Sequence, residues 1–253
     1  MPETDHHEGR RSRHSHGGRS PRATDPGERN QALIDAERVE LSYPLPSGAV
    51  PALRGVDLSL RPGETVCLLG ASGSGKSTLL NVLAGLDVPD AGRVEVAGVD
   101  VVRASEAERT ALRLRSVGMV FQDSNLVAQF TAAENVELIL RCQGASAPRQ
   151  QAVALLGALG VGELADRRPS DMSGGQRQRV GIARALAGDR QVILCDEPTG
   201  ALDRANSRAL FGLLRDLARE KQIGVLIATH DREAAEFADR VVTMVDGRVE
   251  AAA

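Results

Sequence analysis

The sequence contains no uninterrupted apolar run of about 18 residues, so no segment is expected to cross a membrane as a helix. Its opening residues lack the apolar stretch of a secretory signal. Cysteine is scarce and scattered: Cys67, Cys142 and Cys195 are too few and too far apart for a disulfide framework, which points to a reducing, cytosolic setting. Neither sign of charge dominates. The 31 Lys and Arg residues stand against 34 Asp and Glu, a formal net of −3, which excludes a chain-wide attraction to nucleic acid. No internal repeat is visible, and no heptad pattern is sustained. Lysine itself is nearly absent, since only Lys76 and Lys221 are lysines; a lysine kept at a motif position is therefore informative.

The 253 residues suffice for a sizeable core. Residues 1–32 are poor in aliphatic side chains and rich in Arg, His, Gly and Ser, and cannot bury enough apolar surface to offset their ordering entropy. They read as a disordered tail ahead of one domain over 33–253. "AERVELSY" and "LRGVDLSL" alternate as strands do, and "GETVCLLG" reads as a buried strand. "STLLNVLAGL" has helical spacing, "GRVEVAGVDV" reads as a strand pair, and "VGMVFQ" as a further strand. From about Thr131 to Leu186 the pattern is helical, "GELADR" included, so residues 125–172 are expected to form a helical subdomain. "QVILCDE" and "GVLIATH" are apolar strands with helices between them, "EAAEFADR" reads as a helix, and "VVTMVDG" as a last strand. Wholly apolar strands alternating with helices predict an α/β fold with a parallel sheet covered on both faces.

"GASGSGKST" fits the phosphate-loop pattern at the junction of a strand and a helix. Gly70, Ala71, Ser72, Gly73, Ser74 and Gly75 would wrap backbone N–H groups around phosphate oxygens, with the helix N-terminus adding partial positive charge. Lys76 would reach the β- and γ-phosphates, Ser77 would bind Mg²⁺, and Thr78 completes the segment. "VILCDE" ends in Asp196 and Glu197 at the carboxyl end of a strand, where ligands bind in such folds. Asp196 suits the Mg²⁺ shell, and Glu197 a water attacking the γ-phosphate. The alternative for the pair is a helix cap, which the turn made first by "PTGALD" disfavours.

A second anion site is suggested by "SDMSGGQRQRVGIARALA". Ser173, Gly174, Gly175 and Gln176 open a helix whose first N–H groups would be free, with a hydroxyl beside them. This stretch, the phosphate loop and "VILCDE" together resemble the ATP-binding cassette (ABC) ATPases, with Met172 where that family usually has leucine. The resemblance spans about residues 36–250. It implies a P-loop fold with a mixed parallel core sheet, an antiparallel β subdomain and a helical subdomain. It also implies roles for Gln122 in "VFQ" at the metal and the reacting phosphate, for Asp203 in "ALD", for His230 in "ATHD", and for Tyr43 in stacking on adenine. Read from the residues alone, Gln122 suits a polar strand edge, His230 a structural position and Asp203 a helix N-cap. The family pairs head to tail, so Ser173 and Gly175 are expected to touch ATP bound to Lys76 of a second copy.

"GLD", "VFQ", "NL", "ENV" and "PTG.LD" are similar to the lipoprotein-releasing, macrolide-export and cell-division members. These imply a separate integral membrane permease as partner, docking between Gln122 and Met172 at the cytoplasmic face of an inner membrane. Ser124-Asn125-Leu126 departs from the usual Phe-Asn-Leu of that region. An alternative is a regulatory ATPase that drives an extracytoplasmic hydrolase without moving cargo. DNA-repair members need a long coiled coil between the motifs, and translation-associated members need two cassettes; neither is present.

Overall fold

The computed structural model describes residues 32–46, 48–200 and 202–250. The Arg- and His-rich stretch 1–32 thus lies, apart from Ala32, outside the described residues, as does Ala201.

The apolar strands form one sheet. Its order is β10 (Arg248–Glu250), β9 (Arg240–Val245), β3 (Thr65–Leu69), β8 (Gly224–Thr229), β7 (Val192–Asp196) and β6 (Val117–Val120). All neighbours are parallel except the β9–β10 hairpin. Side chains alternate between two cores, as the strand period of two requires. Val66, Leu68, Leu194 and Leu226 enter one core, and Cys67, Ile193, Cys195 and Ile227 the other. The first core is roofed by α1 (Lys76–Leu83), whose Leu79, Leu80, Val82 and Leu83 are fully buried. The same core takes in the antiparallel sheet of order β2 (Gly48–Leu60), β1 (Ile34–Leu45), β4 (Ala91–Val96) and β5 (Val99–Asp100).

The second core is covered by helices. α3 (Ala132–Cys142) opens on a Thr131–Glu134 capping box, α4 (Pro148–Ala158) on a proline, and α5 (Gly174–Ala185) on a Ser173–Gln176 capping box. Leu140, Leu156, Val180 and Ile182 meet there with Phe211 and Leu214 of α6 (Arg204–Lys221). Met172 is buried in this core, so the thioether fills an apolar slot as a leucine would.

Two expected helices are shorter than their pattern suggests, and one helix is additional. "GELADR" yields only a 3-10 turn at Gly162–Leu164. The carbonyls of Ala165 and Arg167 accept instead from the N–H groups of Ala133 and Ala132, satisfying the first turn of α3. "EAAEFADR" is a 3-10 turn, Arg232–Phe237, because Asp239 then exchanges hydrogen bonds with the Thr65 backbone and draws the chain into β9. The additional helix, α2 (Glu106–Arg115), buries only Leu112, so it carries almost no apolar stripe. It is fixed by its ends: a Ser105–Glu108 capping box, acids in its first turn and arginines in its last.

One arginine ties these layers together. Arg190 is 8% exposed and donates to the carbonyls of Ala187 (2.9 Å), Arg113 (2.6 Å) and Val117 (2.9 Å). It thus joins the segment after α5, the end of α2 and the start of β6. Burial pushes its guanidinium down to about 10. Replacing Arg190 with Met keeps the aliphatic stem and orphans three carbonyls. The unfolding free energy should fall by about 3 kcal/mol, read as a lower denaturant midpoint at constant slope.

Candidate functional site

The carboxyl ends of β3, β7 and β8 converge on the loop between Leu69 and Lys76. The loop turns into α1 at Gly75, whose φ of +103° is open to glycine and disfavoured for other residues. A Cβ there would also sit 2.7 Å from the Ala52 carbonyl oxygen. α1 therefore starts without a side-chain cap and without an acid in its first turn. Its leading N–H groups and dipole are left facing the loop, the ordinary recipe for an anion site.

Lys76 is only 5% exposed. Its ammonium group donates to the carbonyls of Gly70 (2.8 Å) and Ala71 (3.1 Å) and lies 3.5 Å from Glu197 Oε1. Glu197 is bound from the other side: its Oε2 accepts from Thr229 Oγ1 at 2.9 Å and meets His230 Nδ1 at 3.0 Å. Burial pushes the Glu197 carboxyl up, but hydrogen bonds from His230 and Thr229, with the His230 and Lys76 charges, outweigh it. The carboxyl therefore sits below its ordinary value. Its backbone is left-handed, at φ +46°, in a non-glycine residue held by Ala228 through a 2.9 Å backbone bond.

Asp196, at the end of β7, has a buried Oδ1 with no hydrogen-bond partner. A bare anionic oxygen suits a hard cation, and the Ser77 hydroxyl lines the same cleft. Among the described residues no cluster of three or more His, Cys, Asp or Glu could hold a metal ion. That donor set fits Mg²⁺, which is commonly held by one or two protein groups together with phosphate oxygens and water.

The cleft has a volume of about 870 Å³, and it brings together Tyr43, Ser72, Gly73, Gly75, Lys76, Ser77, Thr78, Gln122, Asp196 and Glu197. Gln122 follows β6 and lies across Gly200, where an added Cβ would come within 2.6 Å of its Nε2. Tyr43 stands at the mouth on β1, its hydroxyl donating to Asp87 Oδ2 at 2.8 Å, so the ring is tethered although 38% exposed. Gly70, Ala71, Ser74 and His230 border an adjoining cavity of about 580 Å³ on the other side of the loop.

Ser173, Gly174, Gly175, Gln176 and Asp203 line neither cavity. The Ser173 helix start is open only in part. Ser173 Oγ accepts from Gln176 N (3.3 Å) and Gln176 Oε1 from Ser173 N (2.8 Å), so the residues cap one another. The hydroxyl proton is not consumed by accepting, and the cap engages neither the Gly174 nor the Gly175 N–H. Asp203 caps α6, its Oδ1 accepting from Asn206 N at 2.9 Å. Sequence reasoning missed Thr229, the anchor of Glu197; its place just before His230 was the available signal. It also missed Arg54 and Asp246, which line the cleft and carry no motif, and Phe121, which lines it from inside "VFQ".

Residues 53–200 match the family model described as ABC transporter. The chain is 47% identical over 221 residues to the lipoprotein-releasing system ATP-binding protein LolD 2 of Caulobacter vibrioides, covering 87% of this chain and 96% of that protein. It is 42% identical to the macrolide export ATP-binding/permease protein MacB of Syntrophobacter fumaroxidans, over 86% of this chain and 31% of that longer protein. Among solved structures it resembles a dimeric bacterial ABC transporter cassette, with a TM-score of 0.81 and 38% identity over 87% of this chain and 97% of that one. It also resembles a dimeric ATP-binding cassette in a post-hydrolysis state bound to ADP and Pi, with a TM-score of 0.80 and 37% identity over the same shares. With the phosphate loop, the Asp196–Glu197 pair and these likenesses together, the chain belongs to the ABC transporter family, as a nucleotide-binding subunit that hydrolyses ATP.

Proposed function

We propose that this chain powers a separate membrane permease of the lipoprotein-releasing or export kind, from the cytoplasmic face of the membrane, as a head-to-tail pair of copies. No described helix is long and apolar enough to cross a membrane. The observation that carries the pairing is the split between the two phosphate motifs. One cleft holds Lys76, Asp196 and Glu197, while Ser173 and Gly175 line no part of it.

In the mechanism we assign, the loop Gly70–Ser77 and the start of α1 cradle the phosphates, and Tyr43 supports the base. Lys76 exchanges its bond to Glu197 for the phosphates, which frees the carboxylate. Glu197, ionised and aligned by Thr229 and His230, orients the attacking water and takes its proton. Ser77 and Asp196, with Gln122 beside them, would hold Mg²⁺, which would supply charge neutralisation for the phosphates. Ser173 Oγ and the Gly175 N–H complete the site of the facing copy, with Asp203 at the junction. Residues 125–172 act as a helical subdomain carrying the permease's docking surface. ATP thereby favours the closed pair and hydrolysis releases it.

Glu197→Gln should lower turnover by about 100-fold or more, the scale of general-base loss, and accumulate an ATP-dependent dimer by light scattering. Adding Ser173→Arg should abolish that dimer; a dimer that survived would refute the pairing.

The resting contacts of Glu197 also carry a pH signature. Its carboxyl sits below its ordinary value in the folded chain, so the contacts stabilise the fold above the unfolded-state value and fade as pH falls through the folded-state one. The stability difference between the nucleotide-free chain and Glu197→Gln should shift toward the variant as the medium is acidified below the ordinary glutamate range, about 4.3. Denaturation at matched pH checks this.

A further inference from the structure

Gln178 lies on α5, about one turn beyond the Ser173–Gln176 cap, and is 3% exposed. Its amide is used at both ends. Oε1 accepts from Ser124 Oγ at 2.7 Å, and Nε2 donates to the Phe121 carbonyl at 3.0 Å. Phe121 and Ser124 flank the two residues Gln122 and Asp123, so one buried side chain brackets the turn that carries Gln122. Further along α5, Arg184 donates to the carbonyls of Asn125 (2.5 Å) and Ser124 (2.9 Å). The turn needs such holding: Ser124 and Asn125 are consecutive non-glycine residues in left-handed backbone, at φ +59° and +47°. Ser124 is 4% exposed, so its hydroxyl has no water to fall back on.

We propose that Ser124 and Gln178 are positioning residues that mount Gln122 on the helix beginning at Ser173, so that the two move as one body. The inference rests on the head-to-tail reading above. In that pair Gln122 faces the chain's own nucleotide and Ser173 the partner's, so a stiff link between them couples the two ATP sites. Bonds with full burial at both ends tolerate no half-measures, because losing either group orphans the other.

The test uses Ser124→Ala, Gln178→Leu and the double variant in the full chain, each with and without Glu197→Gln. Ser124→Gly is a further variant, since glycine takes the left-handed turn freely and keeps its shape while lacking the hydroxyl. Each single variant should lower kcat about tenfold and raise the ATP needed for the Glu197→Gln dimer about tenfold, while a fluorescent ATP analogue binds the monomer unchanged. The double variant should be no worse than the poorer single one, as expected for two members of one unit. Unchanged kcat and dimerisation in Ser124→Gly would overturn the link, as would additive losses. Weakened analogue binding that tracks a lower melting temperature would reduce the pair to a folding role and overturn it too. If the Glu197→Gln chain itself fails to pair with ATP, the head-to-tail reading fails and this inference goes with it. If that parent pairs and its Ser124→Gly derivative pairs at the same ATP level, the link alone is wrong.

Discussion

The ammonium group of Lys76 is held almost out of water by two loop carbonyls and one carboxylate, and the rest of the cleft is arranged around that constraint. A buried cation must be paired or it shifts its protonation state. The Gly70 and Ala71 carbonyls can turn inward on it only because the loop passes through glycine conformations. Glu197 can reach it only because its own backbone is left-handed and its carboxylate is clamped by Thr229 and His230. The resting site therefore stores its charges against one another. Triphosphate is the ligand that can take over the partner of Lys76 without leaving Glu197 unheld, since Thr229 and His230 remain.

The sheet makes this possible. β3, β7 and β8 are buried on both faces, so the positions of their carboxyl ends are fixed by two cores rather than one. Asp196 and Glu197 leave β7, Thr229 and His230 leave β8, and the phosphate loop leaves β3, all at one edge. Rigid strands locate each group to a fraction of an ångström, and the loops then need only short excursions to bring charges into contact.

Much of this was legible in the residues. The apolar strands, the phosphate loop and the Asp–Glu end of β7 each rest on local chemistry, so spacing sufficed to place them. What was not legible depends on distant partners. "GELADR" has helical composition, yet its carbonyls are claimed by the first turn of α3, 30 or so residues earlier in the chain. α2 lacks an apolar stripe and shows only in its Ser105–Glu108 cap, a signal that periodicity ignores. The Ser173 start was legible as a helix, but not the reciprocal cap between Ser173 and Gln176 that leaves only the Gly174 and Gly175 N–H groups of its first turn unengaged. The bracket made by Gln178 joins positions 54 residues apart, and no pattern in either segment announces it.

The contrast between the two helix starts explains why one chain would carry both. α1 begins uncapped at a glycine, inside a cleft that holds a lysine, so it can gather a triphosphate unaided. α5 begins with its own side chains closing the first turn, outside that cleft, and has only a hydroxyl proton and the N–H groups of Gly174 and Gly175 to offer. Such a terminus draws little from free anion in water, where each donor already has a solvent partner. Presented with a phosphate already fixed by another copy, the same donors lose water and gain a charged acceptor without the cost of capturing the ligand. A self-capped start is thus suited to sensing bound nucleotide rather than binding it, and mounting Gln122 on the same helix would let what is sensed across the interface alter the chain's own site.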